Sequence, residues 1–155
     1  MRRTSRYLAI VVIICAVISL AIGIVFIQQG FAKEAFLVEA MQQEEITIDG
    51  VEGIVDTPEK AQTAGDTVRE HRHGIAPTYG DLLGGGRFDP TDPQQLSYAQ
   101  ALNLENYLYL AVASFGIFTV VKVSGVFMVV TGIALIATGV VLFRLARIIP
   151  ETDQA

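Results

Sequence analysis

The stretch from Lys122 to Arg144 limits the possible folds of this chain more than any other. Between those two cations stand twenty-one uncharged residues, VSGVFMVVTGIALIATGVVLF. As a helix rising ~1.5 Å per residue they reach ~31 Å. A bilayer hydrocarbon core is about 30 Å thick. Within the stretch a pair recurs every seven residues: Ser124-Gly125, Thr131-Gly132 and Thr138-Gly139. Two helical turns return each pair to nearly the same side, giving a groove of small residues that lets a second helix come close.

A second run suits that groove. Tyr7 to Ile27 carries no charge over twenty-one residues and has Ala9, Ala16 and Gly23 at the same seven-residue spacing. Paired antiparallel, Gly23 is expected to face Gly125, Ala16 to face Gly132, and Ala9 to face Gly139. The period implies a left-handed crossing near +20°. Packing of the same groove in a homo-oligomer is the rival. The run is longer than the ~7–15 apolar residues of a signal peptide, and no small-x-small cleavage site follows it. An uncleaved anchor is therefore expected. Arg2, Arg3 and Arg6 before it, with Arg144 and Arg147 after the last run, place both termini in the cytoplasm by the positive-inside rule.

The overall composition agrees, with 52% apolar and 17% charged residues. The net charge of -5 hides an asymmetry, because residues 28–107 hold fourteen acidic against five basic side chains. That balance excludes nucleic acid as a partner. The single cysteine, Cys15, lies within the first apolar run and forms no internal disulfide.

The expected organisation is a cytoplasmic N-terminus over 1–6, a transmembrane helix over 7–27, and an acidic extracytoplasmic segment over 28–121. A second transmembrane helix over 122–144 and a cytoplasmic tail over 145–155 complete it. Within the outer segment, helices are expected at about 30–45, 57–73 and 93–121. Asp56-Thr57-Pro58-Glu59 and Asp92-Pro93-Gln94-Gln95 read as capping boxes with Asp56 and Asp92 as caps. Residues 46–55 read as a short hairpin about Asp49-Gly50 or as an irregular loop. Residues 74–92 read as a connector. Ala61, Ala64 and Val68 form a thin stripe that predicts weak packing for the middle helix. From Tyr107 the helix that becomes the second span is already apolar, so 107–121 is either a separate crossing or the outer half of one long helix. The long helix keeps the number of spans even, with Phe36, Leu37, Ala40 and Met41 meeting Leu108, Val112, Phe115 and Phe118. The fold class is thus an all-α membrane protein, two antiparallel transmembrane helices extended into a small, mostly helical outer segment.

From about Glu70 onward the chain resembles an uncharacterised family of small bacterial two-span membrane proteins, of actinobacterial and chloroflexal type. The residues that carry the resemblance are Glu70-His71, Thr78-Tyr79-Gly80-Asp81-Leu82, Phe88-Asp89-Pro90, Ala101-Leu102-Asn103, Ser114-Phe115-Gly116 and the glycine-spaced final helix. It covers about half the chain and implies the two-span topology without implying an activity. Lys122 departs from the purely apolar helix of that pattern.

Few residues suggest chemistry. His71 and His73 stand near Glu70, yet on a helix two residues apart they face opposite ways, and zinc takes three or four ligands. A solvated helix end with cations beside its negative pole is the simpler reading. Lys122 is an interfacial charge that snorkels or pairs with Glu34, a pore role being the third option. Gly84-Gly85-Gly86 lacks the Gly-Lys-Ser/Thr of a phosphate loop. No cofactor and no enzymatic activity are expected. The function expected is that of a non-catalytic accessory or interaction subunit in the plasma membrane, with the lipid bilayer, other integral membrane proteins or further copies of itself as partners. The alternatives are an extracytoplasmic ligand or metal-ion sensor using His71 and His73, and an oligomeric small channel.

Overall fold

The computed structural model describes residues 2–148, with side chains from residue 6. The expectations for the Arg2 and Arg3 side chains and for the tail beyond Ile148 lie outside the described residues. Among these the chain is all-helical without strands: α1 Arg2–Gln43, α2 Pro58–Ile75, α3 Tyr79–Leu83 and α4 Pro93–Ile148. α1 has 42 residues and α4 has 56, lengths of about 63 and 84 Å. Both are long and apolar enough to cross a membrane. Only 11% of the most apolar window of each is buried, unlike the core helix of a soluble protein.

α4 passes Lys122 unbroken, so no turn separates residues 107–121 from the last apolar run. No proline lies between Pro93 and Pro150, and an isolated glycine in a helix costs only about 1 kcal/mol. Nothing in that stretch is strong enough to end the helix.

The chain divides into two compact units, Met1–Ala32 with Phe118–Ala155, and Lys33–Ile117. In the first unit the buried positions of α1 are Ala9, Ala16, Gly23 and Gly30; those of α4 are Gly125, Gly132, Gly139 and Ala146. Each set repeats every seven residues, so a single seam runs along each helix.

The second unit has its own core of Met41, Val55, Ala61, Ala64, Val68, Leu108, Ala111 and Phe115. The stripe on α2 is thus not the weak contact its small side chains suggest. Ala61 and Ala64 are fully buried, and Gly65, Val68 and Arg72 extend the buried face. Small residues let the helices approach, and larger neighbours fill the space. Of the residues expected on the α1 extension, Met41 enters this core and Leu37 packs at its edge, together with Val112. Phe36 does not, being 68% exposed.

Two local expectations need correction, and one open alternative is decided. The cap of α2 is Thr57, whose hydroxyl accepts from the Lys60 amide at 3.3 Å, one residue later than expected. Pro58 occupies the first turn, where its fixed φ fits and its missing N–H is not needed, so the residue just before it caps. Asp56 instead accepts from Gln42 at 3.1 Å and from the Lys60 ammonium at 3.1 Å, tying the loop to both helices. The same proline logic makes Asp92 the cap of α4, where it accepts from the amides of Gln94 and Gln95.

Residues 46–55 form a loop and no hairpin. One backbone bond, Val55 to Ile46 at 2.9 Å, closes it. Gly50 and Gly53, at φ 85° and 75°, turn the chain twice and interrupt strand alternation. Finally, α2 continues through Gly74 to Ile75, and the connector contains the short α3, capped by Thr78 on the Asp81 amide and ended by Gly84 at φ 54°.

Candidate functional site

In the first unit the six small residues singled out in the sequence all line the seam. A Cβ on Gly23 or on Gly125 would stand 2.7 Å from the carbonyl oxygen of the other residue. One on Gly132 would be 3.0 Å from the Ala16 carbonyl, and one on Gly139 would be 3.5 Å from that of Ala9. Backbones this close exclude any side chain between them. Ile27, Leu20 and Ile13, each four residues beyond a small residue of α1, rest on Gly125, Gly132 and Gly139 in turn. Knobs thereby fill the holes that the glycines leave. A polar contact crosses the seam, the Ser19 hydroxyl donating to the Met128 carbonyl at 2.8 Å.

Lys122 belongs to this seam. Its Cγ would lie 2.5 Å from a Cβ on Gly30, so its aliphatic stem covers that glycine just as Val129 covers Gly23 one heptad later. Its ammonium sits 4.8 Å from the centre of the Phe31 ring. Gly30 is therefore a fourth member of the α1 stripe, which the sequence analysis missed. The signal was its seven-residue spacing from Gly23, obscured by the polar Gln28 and Gln29 before it. Glu34 is half-buried on α1 within the other unit.

The second unit holds a buried ion pair that the sequence analysis also missed. Arg72 and Glu105 have side chains only 10% and 8% exposed, with Nε donating to Oε2 at 2.7 Å and Nη2 to Oε1 at 3.4 Å. The guanidinium also donates to the Tyr98 hydroxyl, and its carbon lies 4.9 Å from the centre of the Tyr98 ring. Its hydrogen bond to Glu105 holds the Arg72 guanidinium above its ordinary pKa. Such a two-pronged, desolvated pair fixes geometry more surely than it adds stability. A signal existed: Arg72 falls on the α2 stripe four residues after Val68, and Glu105 on the α4 stripe three before Leu108. Opposite charges placed on two apolar faces had to meet.

A second polar contact joins the same helices. Tyr109 packs on Gly65 and donates its hydroxyl to Asp66 at 2.7 Å. Burial, with that hydrogen bond, pushes Tyr109 up to about 12. The bond from Tyr109, then that from Gln62, holds Asp66 below the usual carboxylate range.

His71 and His73 are exposed on the last turns of α2, and His73 Nε2 lies 3.2 Å from the Arg72 guanidinium. Among the described residues, no group of three or more His, Cys, Asp or Glu side chains is arranged to hold a metal ion. The polar groups of this unit are thus mostly tied to one another and hold its helices. A hollow of about 500 Å³ is an open groove lined by Glu44, Ile46, Gln100, Asn103, Leu104 and Tyr107, without a nucleophile–base pair. No protein family, curated protein or solved structure matches the chain.

Proposed function

We propose that this chain is an integral protein of the plasma membrane. α1 and α4 cross as an antiparallel hairpin, both termini lie in the cytoplasm, and residues 28–121 lie outside. It works without catalysis as an accessory or interaction subunit of a larger membrane assembly. The observation that carries this reading is the division of labour on the long helices. One face of each is closed in the glycine seam, while the others present large apolar side chains such as Phe127 and Ile133, 71% and 59% exposed. In water a patch of that extent would aggregate; in a bilayer it meets lipid and neighbouring helices. An oligomeric channel draws less support, because the Lys122 stem covers Gly30 within the chain's own helix pair.

The test is gentle detergent purification from native membranes through a C-terminal tag, followed by cross-linking mass spectrometry. The expected result is a defined set of larger membrane proteins, cross-linked through the exposed Lys33. Recovery of the protein alone, as a monomer or homo-oligomer, would overturn the subunit reading.

A further inference from the structure

Resting on the membrane-spanning reading above, we propose that the arginine-bearing end of the helix pair binds the phosphates of anionic phospholipid headgroups. Residues 2–32 and 118–148 contain no aspartate or glutamate, yet they hold six of the 11 lysines and arginines. Five of the six, Arg2, Arg3, Arg6, Arg144 and Arg147, fall at one end. Against these five cations, residues 1–6 and 144–155 set the acidic side chains of Glu151 and Asp153, fewer than the cations they accompany.

The seam sets the level of these cations. Its last glycine contact at this end is Gly139 on Ala9. At ~1.5 Å per residue beyond that contact, Arg6 lies ~4.5 Å out, the start of α1 ~10 Å, Arg144 ~7.5 Å and Arg147 ~12 Å. The arginines of both helices therefore share one band about 8 Å deep, close to the thickness of a headgroup layer. Ala146, fully buried, continues the seam into that band.

The local chemistry suits phosphate. Arg6, Arg144 and Arg147 are exposed. The Arg147 guanidinium carbon lies 5.0 Å from the centre of the Phe143 ring. A planar guanidinium forks onto a phosphate in a way that an ammonium cannot. The first turn of α1 carries no acidic residue, so its amide pole adds partial positive charge at the same level. At the opposite end of this unit only Lys122 is charged, and its stem covers Gly30.

Native mass spectrometry of the delipidated full-length protein, titrated with phosphatidylglycerol or phosphatidylcholine, tests the proposal. Preferential retention of phosphatidylglycerol is expected, weakening as salt rises from about 0.1 to 1 M. Arg144→Gln with Arg147→Gln should lower that preference at least about five-fold. Arg87→Gln, an exposed arginine of the other unit, should leave it unchanged. Arg144→Lys with Arg147→Lys should keep only part of it, since the charge remains while the forked contact is lost, which separates loss of charge from loss of fold. Equal retention of the two lipids, or a preference surviving the double glutamine variant, would overturn the proposal. So would displacement of the lipid by millimolar inorganic phosphate, since the site would then take the free anion. Carbonate extraction of native membranes keeps the two readings apart. A protein that washes out refutes the membrane span and this inference together. One that stays but shows no lipid preference refutes this inference alone.

Discussion

At the scale of single residues, the second unit is held in register by polar contacts between α2 and α4 that centre on Arg72 and Tyr109. Arg72 and Glu105 are each too buried to be left alone, because an isolated ion in a low-dielectric site cannot recover its lost hydration. Glu105→Gln or Arg72→Met should cost about 3–5 kcal/mol, read as a fall in melting temperature of the detergent-solubilised protein. The double change Arg72→Met with Glu105→Leu should recover most of that loss. Equal destabilisation by the single and double variants would show that the pair is not the unit that matters. Tyr109 makes a pH-dependent contribution. Its folded pKa of about 12 lies above the ordinary 10.0, so the unfolded chain ionises first. The stabilisation is whole below about pH 10 and is lost as pH climbs toward 12. Wild type should thus lose helicity, read by circular dichroism, more steeply across that window than Tyr109→Phe. Identical profiles would remove Tyr109 from the account. Asp66, held low, works in the other direction, giving stability above its ordinary 3.8 that fades on acidification.

At the scale of elements, the seam depends on backbone approach, and the effect of added bulk depends on what it would meet. On Gly125 a Cβ would press on the Gly23 carbonyl, a backbone atom of the facing helix that yields only if the helices part. Gly125→Leu should destabilise by about 1–3 kcal/mol or more. Gly116 lies in the same helix with nothing within 4 Å of its built Cβ. Gly116→Ala should therefore stabilise by roughly 0.5–1 kcal/mol, the helix-interior gain of alanine over glycine. Melting temperatures of the two variants that moved in the same direction would contradict this division of the glycines. The caps teach a related lesson: in Asp56-Thr57-Pro58 and Asp92-Pro93 the residue immediately before proline becomes the cap, whatever stands one place earlier.

At the scale of the whole molecule, two helices able to cross a membrane and an all-helical fold follow from the sequence. Twenty-one uncharged residues, repeated once, have few other solutions, and the heptad spacing of small residues already marks which face of each helix closes. The long α4 was legible too, since nothing between Pro93 and Pro150 breaks a helix. What the tertiary structure decided is how charges and small side chains are used once faces meet. Arg72 and Glu105 lie thirty-three residues apart, and each alone reads as a solvated surface group; burial arises only when α2 lies against α4. The Ala61–Ala64–Val68 stripe looks too thin to matter until Met41, Leu108 and Phe115 close over it. Gly30 gains its purpose only from the lysine stem laid across it. Periodicity is a property of one helix and can be read along the chain, whereas desolvation belongs to two surfaces in contact, and only the fold brings those surfaces together.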